Sequence, residues 1–163
     1  MRILIVGVGN VLHGDDGFGV ETARRLLQRP QPEGVDVIET GIGGIALVQE
    51  LQSGYDALVV IDAVDRGRPA GTVLVIDPDV IDVTTMTPMQ RHDMLADMHL
   101  ATPERALMVA KALGVLPERR FLVGCQPLEL EVLRIGLSDV VAAAVDVAVA
   151  EVERCVADLL VGS

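Results

Sequence analysis

The chain has 163 residues, half of them apolar, and a formal net charge of -11 from 13 Lys and Arg against 24 Asp and Glu. That length suits one globular domain over residues 1–163 with a core on both sides of a sheet. The acidity argues against nucleic acid and anionic membrane as partners, and it is compatible with a basic or metal-bearing protein partner.

No apolar run approaches the roughly 18 residues of a membrane span, and Met1-Arg2-Ile3 leads directly into a strand, so the expectation is a soluble, cytoplasmic protein. With no Trp, one Tyr and two Phe there is no base-stacking platform of the single-strand-binding kind. Cys125 and Cys155 are too few and too far apart for a disulfide framework or a thiolate metal site. Cys155 reads as core; Cys125 ends a strand, which places it near a strand-end site.

Arg2 to Val6 is a short β-branched strand, stopped by Gly7 and Gly9 and followed from Gly19 to Arg29 by a helical pattern that Pro30 and Pro32 end. Val35 to Thr40 is the second strand, leading through a glycine turn into an amphipathic helix near Ile45 to Gln52. The third strand, Ala57 to Ile61, is apolar throughout, as a strand buried on both faces requires, and it ends in Asp62. Only Ala63 to Gly71 separate it from the fourth strand, Thr72 to Ile76, too few for a crossover helix, so an antiparallel hairpin of strands three and four is expected. From Asp77 to about Met98 no period is sustained and a long irregular loop is expected. Thr102-Pro103 then opens a helix running to Gly114, Phe121 to Cys125 is the fifth strand, and Ser138 caps a long final helix. The fold class is α/β: a three-layer, single-domain fold with a mixed, mostly parallel five-stranded sheet flanked by helices.

Ligands of an open α/β sheet bind at the carboxyl ends of the strands, where the strand order reverses. The first turn carries Asp15 and Asp16 where a phosphate-binding turn would leave bare amides, and two carboxylates attract a cation instead. A strand order 2-1-3 brings Asp62 beside them, so three carboxylates are expected to face one crevice. A carboxylate closing an apolar strand is costly unless it serves a site. Imidazole together with carboxylates suits nickel, zinc or a similar divalent ion. His13, His92 and His99 compete for that place; His99, just before the Thr102 cap, is the better fixed.

These features together resemble the [NiFe]-hydrogenase maturation endopeptidases. Gly7-Val8-Gly9-Asn10-Val11-Leu12 with Asp15, Asp16, Gly17 and Gly19 is similar to the family's opening G-x-G-N-x-L-x-x-D-[DE]-x-x-G signature. Ile61-Asp62-Ala63, Gly71-Thr72, His99 with Leu107, Gly114 and Pro117, Leu122-Val123-Gly124 and Ile135-Gly136-Leu137-Ser138 follow the family pattern in register. The resemblance implies that Asp16, Asp62 and His99 contact nickel. Asp16 stands where the family often has Glu, and Glu39-Thr40-Gly41-Ile42-Gly43-Gly44 keeps the glycines of the family's D-G-G-T-x-G while losing its Asp and Thr.

The function so implied is removal of the C-terminal extension from a [NiFe]-hydrogenase large-subunit precursor after nickel insertion. The nickel is carried by the substrate and read as a recognition handle. Asp16 and Asp62 are the candidate catalytic groups of an aspartyl-type endopeptidase, as metal ligands, as general base, or both. Serine-hydrolase elbow, zincin helix and aspartic-protease signatures are all missing from the sequence. Two other readings stand beside this one. A nucleotide-binding domain would use Glu39 for a ribose, although Leu12 occupies the place of its third glycine. A nickel-dependent chaperone would dock on a hydrogenase subunit without cutting it.

Overall fold

A computed structural model describes residues 1–42, 44–96 and 102–162. The elements, in chain order, are β1 (Ile3–Val8), a 3₁₀ turn (Gly14–Gly17), α1 (Phe18–Leu27), β2 (Val35–Gly41), α2 (Gly44–Leu51), β3 (Ala57–Ala63) and β4 (Val73–Ile76). A second 3₁₀ turn (Val83–Thr85), α3 (Pro88–Ala96), α4 (Pro103–Ala112), β5 (Arg119–Cys125) and α5 (Asp139–Val161) complete them. One mixed sheet runs in the order β2-β1-β3-β5-β4, parallel except for β4.

The alternation of side chains along the central strands divides the core in two. Ile3 and Ile5 of β1 and Val59 and Ile61 of β3 face α1 and the apolar stripe of α5, from Val141 to Leu159. Leu4, Val6 and Val8, with Leu58 and Val60, face α2 and α4. Both faces of β1 and β3 are therefore covered, which is why these strands read as unbroken apolar runs. Helix α1 packs closely: a Cβ on Gly19 would collide with the carbonyl oxygens of Ile61 and Val8, so only glycine lets the helix lie against the ends of β1 and β3. At the opposite pole the Arg2 guanidinium donates to the Ser53 and Gly54 carbonyls and lies 4.4 Å from the centre of the Tyr55 ring, tying the amino ends of the strands together.

Two expectations are corrected. Strands β3 and β4 do not form a hairpin: β5 lies between them, parallel to β3 and antiparallel to β4. The connection after β3 has only to span two strand spacings, about 10 Å, which a short extended segment does easily. It arches over the end of β5, where the Gln126 side-chain oxygen accepts from the amides of Arg66 and Arg68 and the Gln126 backbone pairs with Gly71 and Thr72. The described part of the expected loop, 77–96, is also more ordered than its lack of period implies. It holds a 3₁₀ turn capped by Asp82, then α3, started by a capping box in which the Thr87 amide donates to Gln90 Oε1 (3.0 Å) and the Gln90 amide to Thr87 Oγ1 (3.3 Å).

Among the described residues no helix is long and apolar enough to cross a membrane.

Candidate functional site

The carboxyl ends of β1, β2 and β3 open into a cleft of about 370 Å³, at the point where the order reverses between β2-β1 and β3. Its floor is Val8-Gly9, its walls are Gly41-Ile42 on one side and Ala63 to Arg66 on another, and Thr102-Pro103-Glu104 at the start of α4 closes a third.

Asp62 reaches the cleft through the strand period. Leu58 and Val60 face α2 and α4, so residue 62 faces that way too, past the end of the helical cover. Only 8% of it is exposed. Burial, then the charges of Asp16 and Glu104, push its carboxyl well above the usual carboxylate range, against a weaker opposing hydrogen bond from the Ala63 amide.

Asp16 arrives from the 3₁₀ turn. Gly9, at φ 145°, turns the chain so sharply that a Cβ there would meet the Asp16 carbonyl, and this close approach sets Asp16 over the end of β1. The Asn10 amide donates to Asp16 Oδ2 at 2.9 Å and fixes the side chain. Two carboxylates thus share the cleft with Glu104, and a cation or a proton is what such a group of acids lacks.

Asp15 does not join them. Its carboxylate is 2% exposed and turns away from the cleft to accept from the amides of Leu128 (2.9 Å), Glu129 (3.4 Å) and Ser138 (2.7 Å) and from Ser138 Oγ (2.9 Å). Burial alone would raise its pKa, yet these hydrogen bonds outweigh burial and hold it below the usual value. Successive side chains on a 3₁₀ turn diverge by about 120°, which sends neighbours to different tasks. Ser138, expected to cap α5 through its hydroxyl, occupies the N-cap position but gives that hydroxyl to Asp15.

Of the histidines, His13 is exposed outside the cleft, and its backbone forms a bridge with Arg134. His92 lies exposed on α3, also outside the cleft lining. His99 lies outside the described residues. Among the described residues no three His, Cys, Asp or Glu side chains stand close enough to surround one metal ion. Cys125 is fully buried on the α5 side of the sheet, its thiol pushed up to about 11 by burial and then by the Asp15 charge, so it has no nucleophilic character. Glu39 is engaged by Arg24 in a forked pair (2.7 and 3.2 Å) away from the cleft. Glu104 is the residue that the sequence reading missed: an acid in the first turn of a helix serves the helix dipole, and nothing local distinguishes it.

The hydrogenase maturation protease family model (HycI) matches residues 20–155. The hydrogenase expression/formation protein HupD of Rhodobacter capsulatus is 34% identical over 94% of this chain and 70% of its own length. HupD of Rhizobium leguminosarum is 35% identical over 80% of this chain and 61% of its own length. Among solved structures, the hydrogenase maturating endopeptidase HybD from E. coli superposes with a TM-score of 0.74 at 30% identity, covering 93% of this chain and 90% of that one. The hydrogenase 2 maturation peptidase from Thaumarchaeota archaeon SCGC_AB-539-E09 gives 0.69 at 31% identity, covering 96% and 99%. With a match over most of its length and the same mixed-sheet fold, the chain belongs to the hydrogenase maturation protease family.

Proposed function

We propose that this peptidase removes the C-terminal extension of a [NiFe]-hydrogenase large-subunit precursor in the cytoplasm, and that it recognises the precursor through nickel the precursor already carries. The observation that carries this reading is the convergence of Asp16 and Asp62 on one cleft with Asp62 buried at a strand end, since a buried carboxyl beside other acids is relieved by a cation. Hard oxygen donors alone do not select nickel, and in this reading His99 adds the nitrogen donor. The protein then supplies a partial coordination shell, and the ligands that the substrate contributes complete it. An empty precursor offers nothing to bridge the acids and is left uncut.

When it meets the ion, Asp62 gives up the proton that burial favours and becomes a ligand. Asp16, oriented by the Asn10 amide, is set to bind the ion or to accept a proton from water at the scissile carbonyl. The bound nickel supplies Lewis-acid polarisation of that carbonyl. A phosphate ligand finds no support in the same geometry, because carboxylates occupy the place where bare amides would hold it.

The test is conversion of purified precursor, nickel-loaded or empty, followed by the shift of the large subunit on a gel. The wild type shortens the loaded form only; Asp16→Asn, Asp62→Asn and His99→Ala each slow cleavage by roughly 100-fold or more, and His92→Ala leaves it unchanged. Equal cutting of the empty precursor refutes nickel recognition, and wild-type cleavage by His99→Ala refutes the ligand set. Binding of the loaded precursor without cleavage assigns the chain to the chaperone reading.

A further inference from the structure

On the far side of the residues that wall the cleft, α2 and α4 leave a second depression of about 220 Å³ between them, and it is mainly apolar. Ile45, Val48 and Gln49 of α2 line one side, and Ala106 and Val109 of α4 line the other. Helix α2 follows the carboxyl end of β2 and α4 precedes the amino end of β5, so both helices begin at the cleft end of the molecule and the groove leads away from it. The two depressions are lined by neighbouring stretches of chain: 41–42 border the cleft and 44–45 the groove, while 102–104 border the cleft and 105–106 the groove. Ile45 stands 65% exposed at the groove and Ile42 64% exposed at the cleft, so among the described residues two large apolar side chains close in sequence face solvent along the same edge.

We propose that this groove holds an apolar segment of the peptide that leads away from the scissile bond, and so forms a substrate subsite beside the cleft. The inference rests on the reading of the cleft as the site of peptide cleavage. An endopeptidase substrate is a continuous chain that must leave the cleft, and this is an apolar exit adjoining it. The volume falls below the roughly 300–1,000 Å³ of small-molecule pockets and suits side chains carried by a peptide. Gln49, exposed at the rim, presents an amide that both donates and accepts, which is the chemistry of a peptide backbone.

The experiment uses the full chain and a dye-labelled synthetic peptide with the sequence of the precursor's C-terminal extension joined to the residues before the cut, titrated by fluorescence anisotropy, alongside precursor cleavage. Ile45→Glu weakens peptide binding and raises KM by about tenfold or more with kcat retained, Ile45→Leu restores both, and Val147→Glu, on the exposed side of α5 across the sheet, changes neither. Circular dichroism melts of the three variants show that each is folded. If the wild type cleaves and Ile45→Glu matches it in peptide affinity and KM, the groove is no subsite. If Val147→Glu weakens binding as much as Ile45→Glu, the effect is general charge repulsion and the proposal falls. Failure of the wild type to cleave loaded precursor instead removes the reading of the cleft, which separates the two failures.

Discussion

Replacing Asp15 tests whether its carboxylate is a structural clasp or a ligand. In Asp15→Ala four donors lose their acceptor, but they do not lose it equally. Leu128 and Glu129 lie at the surface, where water replaces the carboxylate at about 0.5 kcal/mol each. Ser138 is buried, so its amide and hydroxyl are left without a partner at about 1 kcal/mol each or more. The sum is about 3 kcal/mol, or a fall in Tm of roughly 6–12 °C for a chain of this size. Asp15→Asn keeps the shape but, with its oxygen toward Leu128, sets an NH₂ against the Ser138 amide that now donates at 2.7 Å, so it too is destabilised.

Thermal melts at neutral pH measure the loss, and melts at lower pH give its sign. Because the folded pKa of Asp15 is depressed below 3.8, its contribution is present above that value and disappears as pH falls through the folded pKa. The gap between wild type and Asp15→Asn therefore narrows only below about pH 4. A loss under about 1 kcal/mol at pH 7, or a gap indifferent to acid, refutes the clasp.

Asp62 has the opposite sign. Its folded pKa is raised, so the stability it confers is complete below the unfolded value and is lost as pH rises through the folded one. Asp62→Asn should melt above the wild type at pH 7, with the two converging toward pH 4, while peptidase activity disappears; a lower melting point at pH 7 contradicts the burial argument. Gly19→Ala drives a methyl into two strand carbonyls and should cost about 3 kcal/mol or more, seen as a Tm lowered by roughly 6–12 °C or more, or as insoluble protein. Cys125 and Cys155 are both buried with raised pKa values, so an aromatic disulfide reagent should titrate neither thiol in the folded protein and both in denaturant. Prompt reaction of Cys125 in the folded state would restore it as a site candidate.

Much of this arrangement was legible because burial writes itself into strands. The two-sided burial of β3 and the place of Asp62 follow from an apolar run that ends abruptly in a carboxylate, and the β2-β1-β3 order is the one assumed from the open α/β pattern. What stayed hidden was of three physical kinds. The partner of β4 is a tertiary choice: a short connection limits reach and not adjacency, and β5 entered the gap. Helix α3 has little amphipathic pattern, yet Thr87-Pro88-Met89-Gln90 is a capping box with proline at the first helical position, a local signal that period-seeking overlooks. The divergence of Asp15 and Asp16 depends on the pitch of a single 3₁₀ turn, which the same two letters in a helix cap would not reveal.

The insertion of β5 between β3 and β4 also sets an order of assembly. During synthesis β1, β2 and β3 emerge early and can pair among themselves, but β4 ends at Ile76 while β5, its strand neighbour among the described residues, starts at Arg119. Until that later segment leaves the ribosome, β3 and β4 both present unpaired edges, and the α5 stripe that shares one face of the sheet with α1 comes last. The nascent chain is thus most vulnerable to edge-to-edge association just before its final third is made. A chain shortened at its carboxyl end forfeits this cover, and with it the solubility of everything already built.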